Sequence, residues 1–136
     1  EITESMLMDN PSAVKTLLKQ IKYRQIKLSL DDFGTGYSSL SYLHSFPIDT
    51  LKIDRAFVVH ANSEFKNKAI TQAIVTLAQS LGMEVIAEGI ETTDQLEQLK
   101  QLKCEFGQGY FFSKPLAQAD IEKLLQSTQK LPIEKQ

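Results

Sequence analysis

The 136-residue sequence has little of what several classes of protein require. It contains one cysteine, Cys104, so no disulfide can form within the chain, and this favours a reducing, intracellular compartment. Its 2 histidines, His44 and His60, are isolated, and we expect neither to be a metal ligand. The formal net charge is −2, without the basic excess that is typical of proteins that bind polymeric nucleic acid.

Long hydrophobic runs are also absent. No stretch approaches the ~20 apolar residues that span a bilayer, and no signal peptide is recognisable. We therefore expect no membrane contact by this segment and a cytoplasmic location, although other domains of the whole protein could anchor it to a membrane. Because the sequence begins at Glu1 without an initiator methionine, we interpret it as a piece of a longer protein, with one domain over residues 1–127 and a tail over residues 128–136.

The residues that are present predict alternating strands and helices. Apolar runs with β-branched or aromatic residues predict strands over residues 26–32, 49–55, 83–89 and 103–112. Caps, stops and helical periodicity predict one helix that begins at Pro11 and others over residues 38–46, 64–81, 94–103 and 118–128. This alternation predicts parallel strands, either in a doubly wound open sheet or in about half of a (β/α)8 barrel.

The distribution of polar residues favours the barrel. In a doubly wound sheet helices cover both faces, so both faces of a strand are usually apolar. Here Ser29 and Asp31 share one face of a predicted strand, as do Lys52 and Asp54 in the next. Polar residues on one face of several strands fit a barrel interior that opens onto a site at the carboxyl ends of the strands.

Carboxylates dominate those strand ends. The charged residues there are Asp31, Asp32, Lys52, Asp54, Glu88 and Glu91, and Glu1 and Glu4 join them if the chain begins at the end of a preceding strand. Clustered carboxylates repel one another, and a divalent cation relieves that repulsion. Oxygen ligands without a histidine or thiol cluster suit Mg²⁺, Ca²⁺ or Mn²⁺ better than Zn²⁺.

The adjacent pair Asp31 and Asp32 allows two interpretations. Both side chains cannot point inward from a regular strand, but at a strand end they could approach two metal ions from different directions. Gly34 and Gly36 would permit the sharp backbone that follows. The simpler alternative is an aspartate-capped turn before a helix.

Five motifs then resemble one known family. EITES, DDFGTGYSSL, LKIDR, IAEGIET and GQGYFFSKP resemble, in order and spacing, the EAL domain, a phosphodiesterase that opens cyclic di-GMP to linear pGpG. The resemblance extends from Glu1 to about Leu125. It implies an α/β fold, the C-terminal half of a TIM-like (β/α)8 barrel with about four parallel βα units, and cyclic di-GMP as the partner of the complete domain.

The resemblance also implies roles for individual residues. Two Mg²⁺ or Mn²⁺ ions would be held in the complete domain, with metal ligands at Glu1, Asp31, Asp32 and Glu88. Lys52 and Glu88 would be catalytic, and Lys52 would lie beside the phosphate. The residues that would contact substrate or support the site are Glu4, Asp54, Glu91 and Gln108. The loop that would contribute to dimer contacts is Phe33, Gly34, Thr35, Gly36, Tyr37 and Ser38.

The Glu-Ala-Leu segment that names the family does not occur in this sequence. We therefore expect the parent protein to be a cyclic di-GMP phosphodiesterase and this segment alone to be inactive. The alternative is a catalytically silent cyclic di-GMP receptor or protein-interaction module. Four parallel strands from half a barrel would leave two open edges, so we also expect self-association.

Overall fold

A computed structural model of the chain describes residues 1–34, 43–59 and 65–126. Its single sheet has neighbouring strands in the order β1-β2-β3-β4-β5, and every neighbouring pair is parallel. The strands are β1 (Ile2–Thr3), β2 (Ser29–Phe33), β3 (Thr50–Ile53), β4 (Glu84–Ala87) and β5 (Phe106–Gly107). The predicted parallel alternation is confirmed, with β1 added ahead of the four predicted strands.

Helices connect the strands. They are α1 (Glu4–Asp9), α2 (Pro11–Tyr23), α3 (Arg55–Val59), α4 (Phe65–Ser80), α5 (Thr93–Gln101) and α6 (Gln118–Gln126). Asn10 caps α2 as predicted, because its side chain accepts a hydrogen bond from the Ala13 N–H. The cap of α5 is Thr92, which forms a capping box with Gln95. Most of the predicted helix over residues 38–46 lies outside the described residues. No helix among the described residues is long and apolar enough to cross a membrane.

The apolar face of the sheet forms the core. Leu30, Leu51 and Val85 are completely buried, one from each of the three central strands. They belong to one buried cluster with Val75 and Ala78 of α4, the helix that packs on β3 and β4. The opposite face carries the polar positions, so the alternation predicted for these strands is confirmed.

A β-bulge interrupts β2 at the paired aspartates. Leu30 is in register with Leu51, but Phe33 is in register with Ile53, so two residues of β2 stand opposite one residue of β3. The extra residue is Asp32, whose φ of +55° lies in the left-handed region. Because the bulge resets the alternation, Phe33 returns to the core, where it is 3% exposed. Asp31 stays on the polar face.

A hydrogen-bonded ion pair connects α2 to the amino ends of β2 and β3. The Asp49 carboxylate, just before β3, accepts hydrogen bonds from Lys22 Nζ at 2.6 and 2.8 Å and from the Leu28 N–H at 2.7 Å. It thus ties the last turn of α2 to the chain entering β2. Burial opposes ionisation, but the hydrogen bonds from Lys22 and Leu28 and the nearby lysine charges hold the pKa of Asp49 below its ordinary value.

Candidate active site

Lys52 lies at the centre of a carboxylate cluster on the polar face of the sheet. Its Nζ is 3.0 Å from Glu1 Oε1, 3.1 Å from Asp31 Oδ1 and 2.7 Å from Glu88 Oε1. Glu1 precedes β1, Asp31 lies in β2 and Glu88 follows β4, so carboxylates from three strands converge on the lysine of β3. Lys52 is only 7% exposed, so its ammonium is largely buried where β2, β3 and β4 approach their carboxyl ends. Glu1 reaches it from the residue before β1, and its side chain is 61% exposed.

The electrostatics of this cluster favour a permanent positive charge on Lys52. Burial lowers the pKa of Lys52, but its hydrogen bonds to Glu88, Glu1 and Asp31 outweigh burial and raise the pKa above its ordinary value. Three carboxylates surround one ammonium, so the formal charge of the cluster is −2. A hard divalent cation would balance that excess, and oxygen donors are the ligands that Mg²⁺ and Mn²⁺ prefer.

The carboxylate oxygens of this cluster are therefore suitable ligands for the predicted divalent metal. In this structure, however, they are arranged around the Lys52 ammonium. In the described part of the chain, no three histidine, cysteine or carboxylate side chains are already grouped to hold an ion. One oxygen each of Glu1, Asp31 and Glu88 is engaged by the Lys52 ammonium. Glu1, Asp31 and Glu88 are thus brought together, with a lysine at their point of convergence.

Asp31 and Asp32 differ in environment because of the bulge. Asp31 is half-buried, and its Oδ1 accepts a hydrogen bond from the Asp32 N–H at 3.1 Å as well as from Lys52. Asp32 is exposed, and its positive φ turns it away from the regular pleat. The two neighbouring carboxylates thus differ in exposure, and the difference arises at the bulge inside β2 and not at the end of the strand.

Glu4 connects α1 to the segment that follows β2. It is 5% exposed, and its Oε2 accepts a hydrogen bond from the Gly34 N–H at 3.1 Å. Its Oε1 is buried and has no hydrogen-bond partner among the described residues. Gly34 has a φ of +97°, and a Cβ there would lie 2.8 Å from the Phe57 ring, so both conformation and space require glycine.

The loop predicted over residues 33–38 begins one residue later than expected. Phe33 is the last residue of β2 and is buried, because the bulge directs its side chain into the core. Gly34 is the first residue after the strand. The other predicted loop residues lie outside the described residues, namely Thr35, Gly36, Tyr37 and Ser38.

Asp54 and Glu91 lie beside the cluster and have other partners. Asp54 Oδ1 accepts a hydrogen bond from the Ala56 N–H at 2.8 Å, which caps the first turn of α3. Glu91 Oε1 is 2.7 Å from Arg55 Nη2, and both side chains are largely exposed. Sequence reasoning missed Arg55, although LKIDR and IAEGIE place opposite charges just beyond the ends of two strands that prove to be neighbours.

Gln108 lies at the far edge of the sheet. Its N–H donates to the Ala87 carbonyl at 2.8 Å, and its carbonyl accepts from the Ile90 N–H at 3.1 Å. The exposed side chain borders a groove of about 640 Å³ that is also lined by Leu96 and Cys104. This groove is mainly apolar and shares no residue with the Lys52 cluster. Burial raises the pKa of the Cys104 thiol to about 11, which is typical of a packing group.

Comparison with known proteins identifies the family of this fold and site. The EAL domain model matches residues 1–115. Over 127 residues the chain is 45% identical to the cyclic di-GMP phosphodiesterase NbdA of Pseudomonas aeruginosa, a match that covers 93% of this chain and 16% of NbdA. The crystal structure of the EAL domain of Mycobacterium smegmatis DcpA superposes with a TM-score of 0.84 at 38% identity, covering 91% of this chain and 56% of that one.

A third relative was solved with ligands. Klebsiella pneumoniae BlrP1, in a complex with manganese and cyclic di-GMP, superposes with a TM-score of 0.77 at 34% identity, covering 83% of this chain and 29% of that one. The chain therefore belongs to the EAL domain family, and its parallel sheet with alternating helices is part of a TIM-type (β/α) barrel. It spans about half the length of the solved DcpA domain and a much smaller share of NbdA.

Proposed function

We propose that this chain supplies one half of the active site of a metal-dependent phosphodiesterase that hydrolyses cyclic di-GMP to linear pGpG. The observation that carries the proposal is the convergence of Glu1, Asp31 and Glu88 on Lys52, where β2, β3 and β4 approach their carboxyl ends. Carboxyl ends are where active sites lie in barrels of this type. The relatives NbdA and BlrP1 support the substrate, because one is named as a cyclic di-GMP phosphodiesterase and the other was solved with that nucleotide.

Each residue of the cluster has a chemical task in this proposal. Glu1, Asp31, Asp32 and Glu88 would hold two Mg²⁺ or Mn²⁺ ions, which polarise the phosphoryl group and supply hydroxide at neutral pH. Lys52 is a compact cation that offsets negative charge as it develops on the phosphate. Glu88 serves as a ligand or as a base that accepts a proton from the attacking water.

The surrounding residues support the cluster or the substrate. Glu4 positions the segment after β2 through the Gly34 N–H, and Asp54 fixes the start of α3 directly after the lysine strand. Glu91 and Gln108 would contact substrate or support the site, as the family resemblance implies. Residues 33–38 would then couple the site to a second subunit, as the family resemblance implies.

The proposal is tested by measuring turnover in two forms of the protein. Cyclic di-GMP is incubated with the 136-residue chain, and with the same chain preceded by the first half of an EAL domain, in the presence of Mg²⁺, Mn²⁺ or EDTA. Chromatography separates linear pGpG from the substrate. We expect metal-dependent product only from the completed domain, because the chain alone lacks the Glu-Ala-Leu segment. Efficient turnover by the chain alone would contradict the half-site proposal.

A silent receptor would give a different result. In that case calorimetry would detect cyclic di-GMP binding by the completed domain while no pGpG formed. The intact carboxylate–lysine cluster favours catalysis over this alternative, because binding alone does not require four charged groups to converge. A completed domain that binds cyclic di-GMP without hydrolysing it would show that the receptor interpretation is right and the enzyme interpretation is wrong.

Self-association is the remaining part of the proposal. The described sheet ends at β1 and β5, which are two residues long and have no strand on their outer side. Unpaired strand edges present N–H and C=O groups with which another chain can pair, and the exposed Phe106 of β5 adds apolar area. Light scattering of the 136-residue chain should show dimers or larger species at high concentration. A folded monomer at every concentration would refute this expectation.

A further inference from the structure

The Lys52 ammonium occupies the place where the proposed metal ligands meet. A lysine has three N–H donors, and here three different carboxylates accept from it at 2.7 to 3.1 Å. These lengths are typical of charge-assisted hydrogen bonds. The ammonium is therefore fully satisfied by Glu1, Asp31 and Glu88.

A divalent cation at the same oxygens would conflict with this arrangement. Mg²⁺ and Mn²⁺ require oxygen ligands at about 2.0 to 2.2 Å, so the ion would lie within a few ångströms of Lys52 Nζ. Because the lysine side chain is only 9% exposed, water screens the repulsion between the two cations poorly. An ion that binds these oxygens must therefore take at least some of them from Lys52.

We infer that Lys52 is a resident counter-cation that competes with the divalent metal for Glu1, Asp31 and Glu88. It keeps three converging carboxylates together before metal loading, and it gives them up when the metal binds. The freed ammonium is then available to a second anion, of which the substrate phosphate is the chemical match. This inference rests on the proposed metal role of the carboxylates, and its test requires no turnover.

Metal binding is measured by calorimetric titration of the 136-residue chain with Mn²⁺ alone. The test variant is Lys52→Met, which keeps the aliphatic stem and removes the ammonium. The matched control is Lys27→Met, which removes the same charge from a side chain that is 74% exposed and whose Nζ lies 3.5 Å from Glu84 Oε2. We expect Lys52→Met to bind Mn²⁺ at least tenfold more tightly than the wild type, and Lys27→Met to match the wild type.

A second measurement uses the wild-type chain and so does not depend on the folding of a variant. The side-chain ¹⁵Nζ resonance of Lys52 is observed by NMR and assigned by its absence from Lys52→Met. Added Mg²⁺ should shift this resonance as the ammonium loses its carboxylate partners. The resonance of Lys27 should stay in place.

Both measurements can overturn the inference. It is wrong if Lys52→Met binds Mn²⁺ no more tightly than Lys27→Met, or if Mg²⁺ leaves the Lys52 resonance unchanged. If either result is obtained and the completed domain still hydrolyses cyclic di-GMP, the competition between Lys52 and the metal is wrong and the proposed function stands. If the completed domain is inert but its Lys52→Met variant binds Mn²⁺ more tightly than the wild type does, the proposed function is wrong and the competition stands.

Discussion

The two ends of strand β3 carry ionic clusters of opposite design. At the amino end, the Asp49 carboxylate meets the Lys22 ammonium and the Leu28 N–H, so one negative charge is matched by one positive charge and a backbone donor. At the carboxyl end, the Lys52 ammonium meets three carboxylates and leaves an excess of negative charge. The two clusters lie three residues apart in the sequence.

The difference separates a structural contact from a functional one. The Asp49 cluster satisfies its charges within the chain and joins a helix to two strands, which is what a stabilising contact does. The Lys52 cluster holds more negative charge than its lysine can balance, so it is stable only while a cation or the solvent compensates it. Charge balance, more than burial, therefore indicates which end of the sheet binds a ligand.

The largest effect should come from a change at the carboxyl end. Glu88→Gln in the completed domain should reduce the turnover of cyclic di-GMP by about 10² to 10⁴-fold, the range for loss of a general base or an equivalent group. The control is Glu84→Gln on the same strand, whose carboxylate is 47% exposed and pairs with Lys27. Steady-state rates of both variants check the prediction. Equal rates would show that the cluster at the carboxyl end of β3 has no special role in turnover.

A change at the amino end of β3 should alter the stability of the chain and not its catalytic activity. Asp49→Asn should lower the free energy of unfolding by about 2 kcal/mol, because the charge-assisted hydrogen bonds from Lys22 are weakened and its ammonium loses its counterion. Urea denaturation of the 136-residue chain at neutral pH measures this change. A variant as stable as the wild type would show that the Asp49 contact is dispensable.

Acid should remove the same stabilisation. The pKa of Asp49 is lowered in the folded chain, so the folded state holds its proton less tightly than the unfolded state does. The contribution of Asp49 is therefore present in full above its ordinary pKa of 3.8, and it is lost as the pH falls through the lower folded value. The difference in unfolding free energy between wild type and Asp49→Asn should shrink as the pH falls from above 3.8 into the acid range below it. A constant difference over that range would contradict this sign.

The smallest effect is expected at the Arg55–Glu91 pair. These side chains are 60% and 38% exposed, so their coupling in a double-mutant cycle should be about 0.5 kcal/mol or less. Arg55→Met, Glu91→Gln and the double variant, each unfolded in urea, measure it. A coupling several times larger would make this pair a structural contact comparable with Asp49.

Much of the fold follows from local signals in the sequence. Asn10 followed by Pro11 marks the start of α2, and Gly82, with a φ of +73°, follows the end of α4 as expected of a helix stop. The prediction of a long last strand was wrong, since β5 spans only Phe106–Gly107. Aromatic residues mimic a strand there, but a Cβ on Gly109 would lie 2.1 Å from the Ile90 carbonyl oxygen, so the chain turns against the neighbouring backbone.

The site was predictable in composition and less so in geometry. Residue types and spacing suffice to predict that Asp31, Lys52 and Glu88 share one edge, because parallel strands bring their carboxyl ends together. Glu1 was expected there only if the chain began at the end of a strand, whereas it lies just before β1 and reaches Lys52 from that position. The bulge at Asp32 was not predictable, since its positive φ depends on how β2 pairs with β3. The short helix α3 was also missed, because five residues are too few for a periodic apolar pattern.

The most direct test of this comparison is the effect of Mn²⁺ on the unfolding free energy of two matched variants, Lys52→Met and Lys22→Met. Both remove one ammonium that is paired with carboxylate at an end of β3. Mn²⁺ should stabilise Lys52→Met more than the wild type, because its three freed carboxylates accept the ion, and it should stabilise Lys22→Met no more than the wild type. Equal stabilisation of all three proteins, or of none, would contradict the assignment of the carboxyl end as the cation-binding half-site.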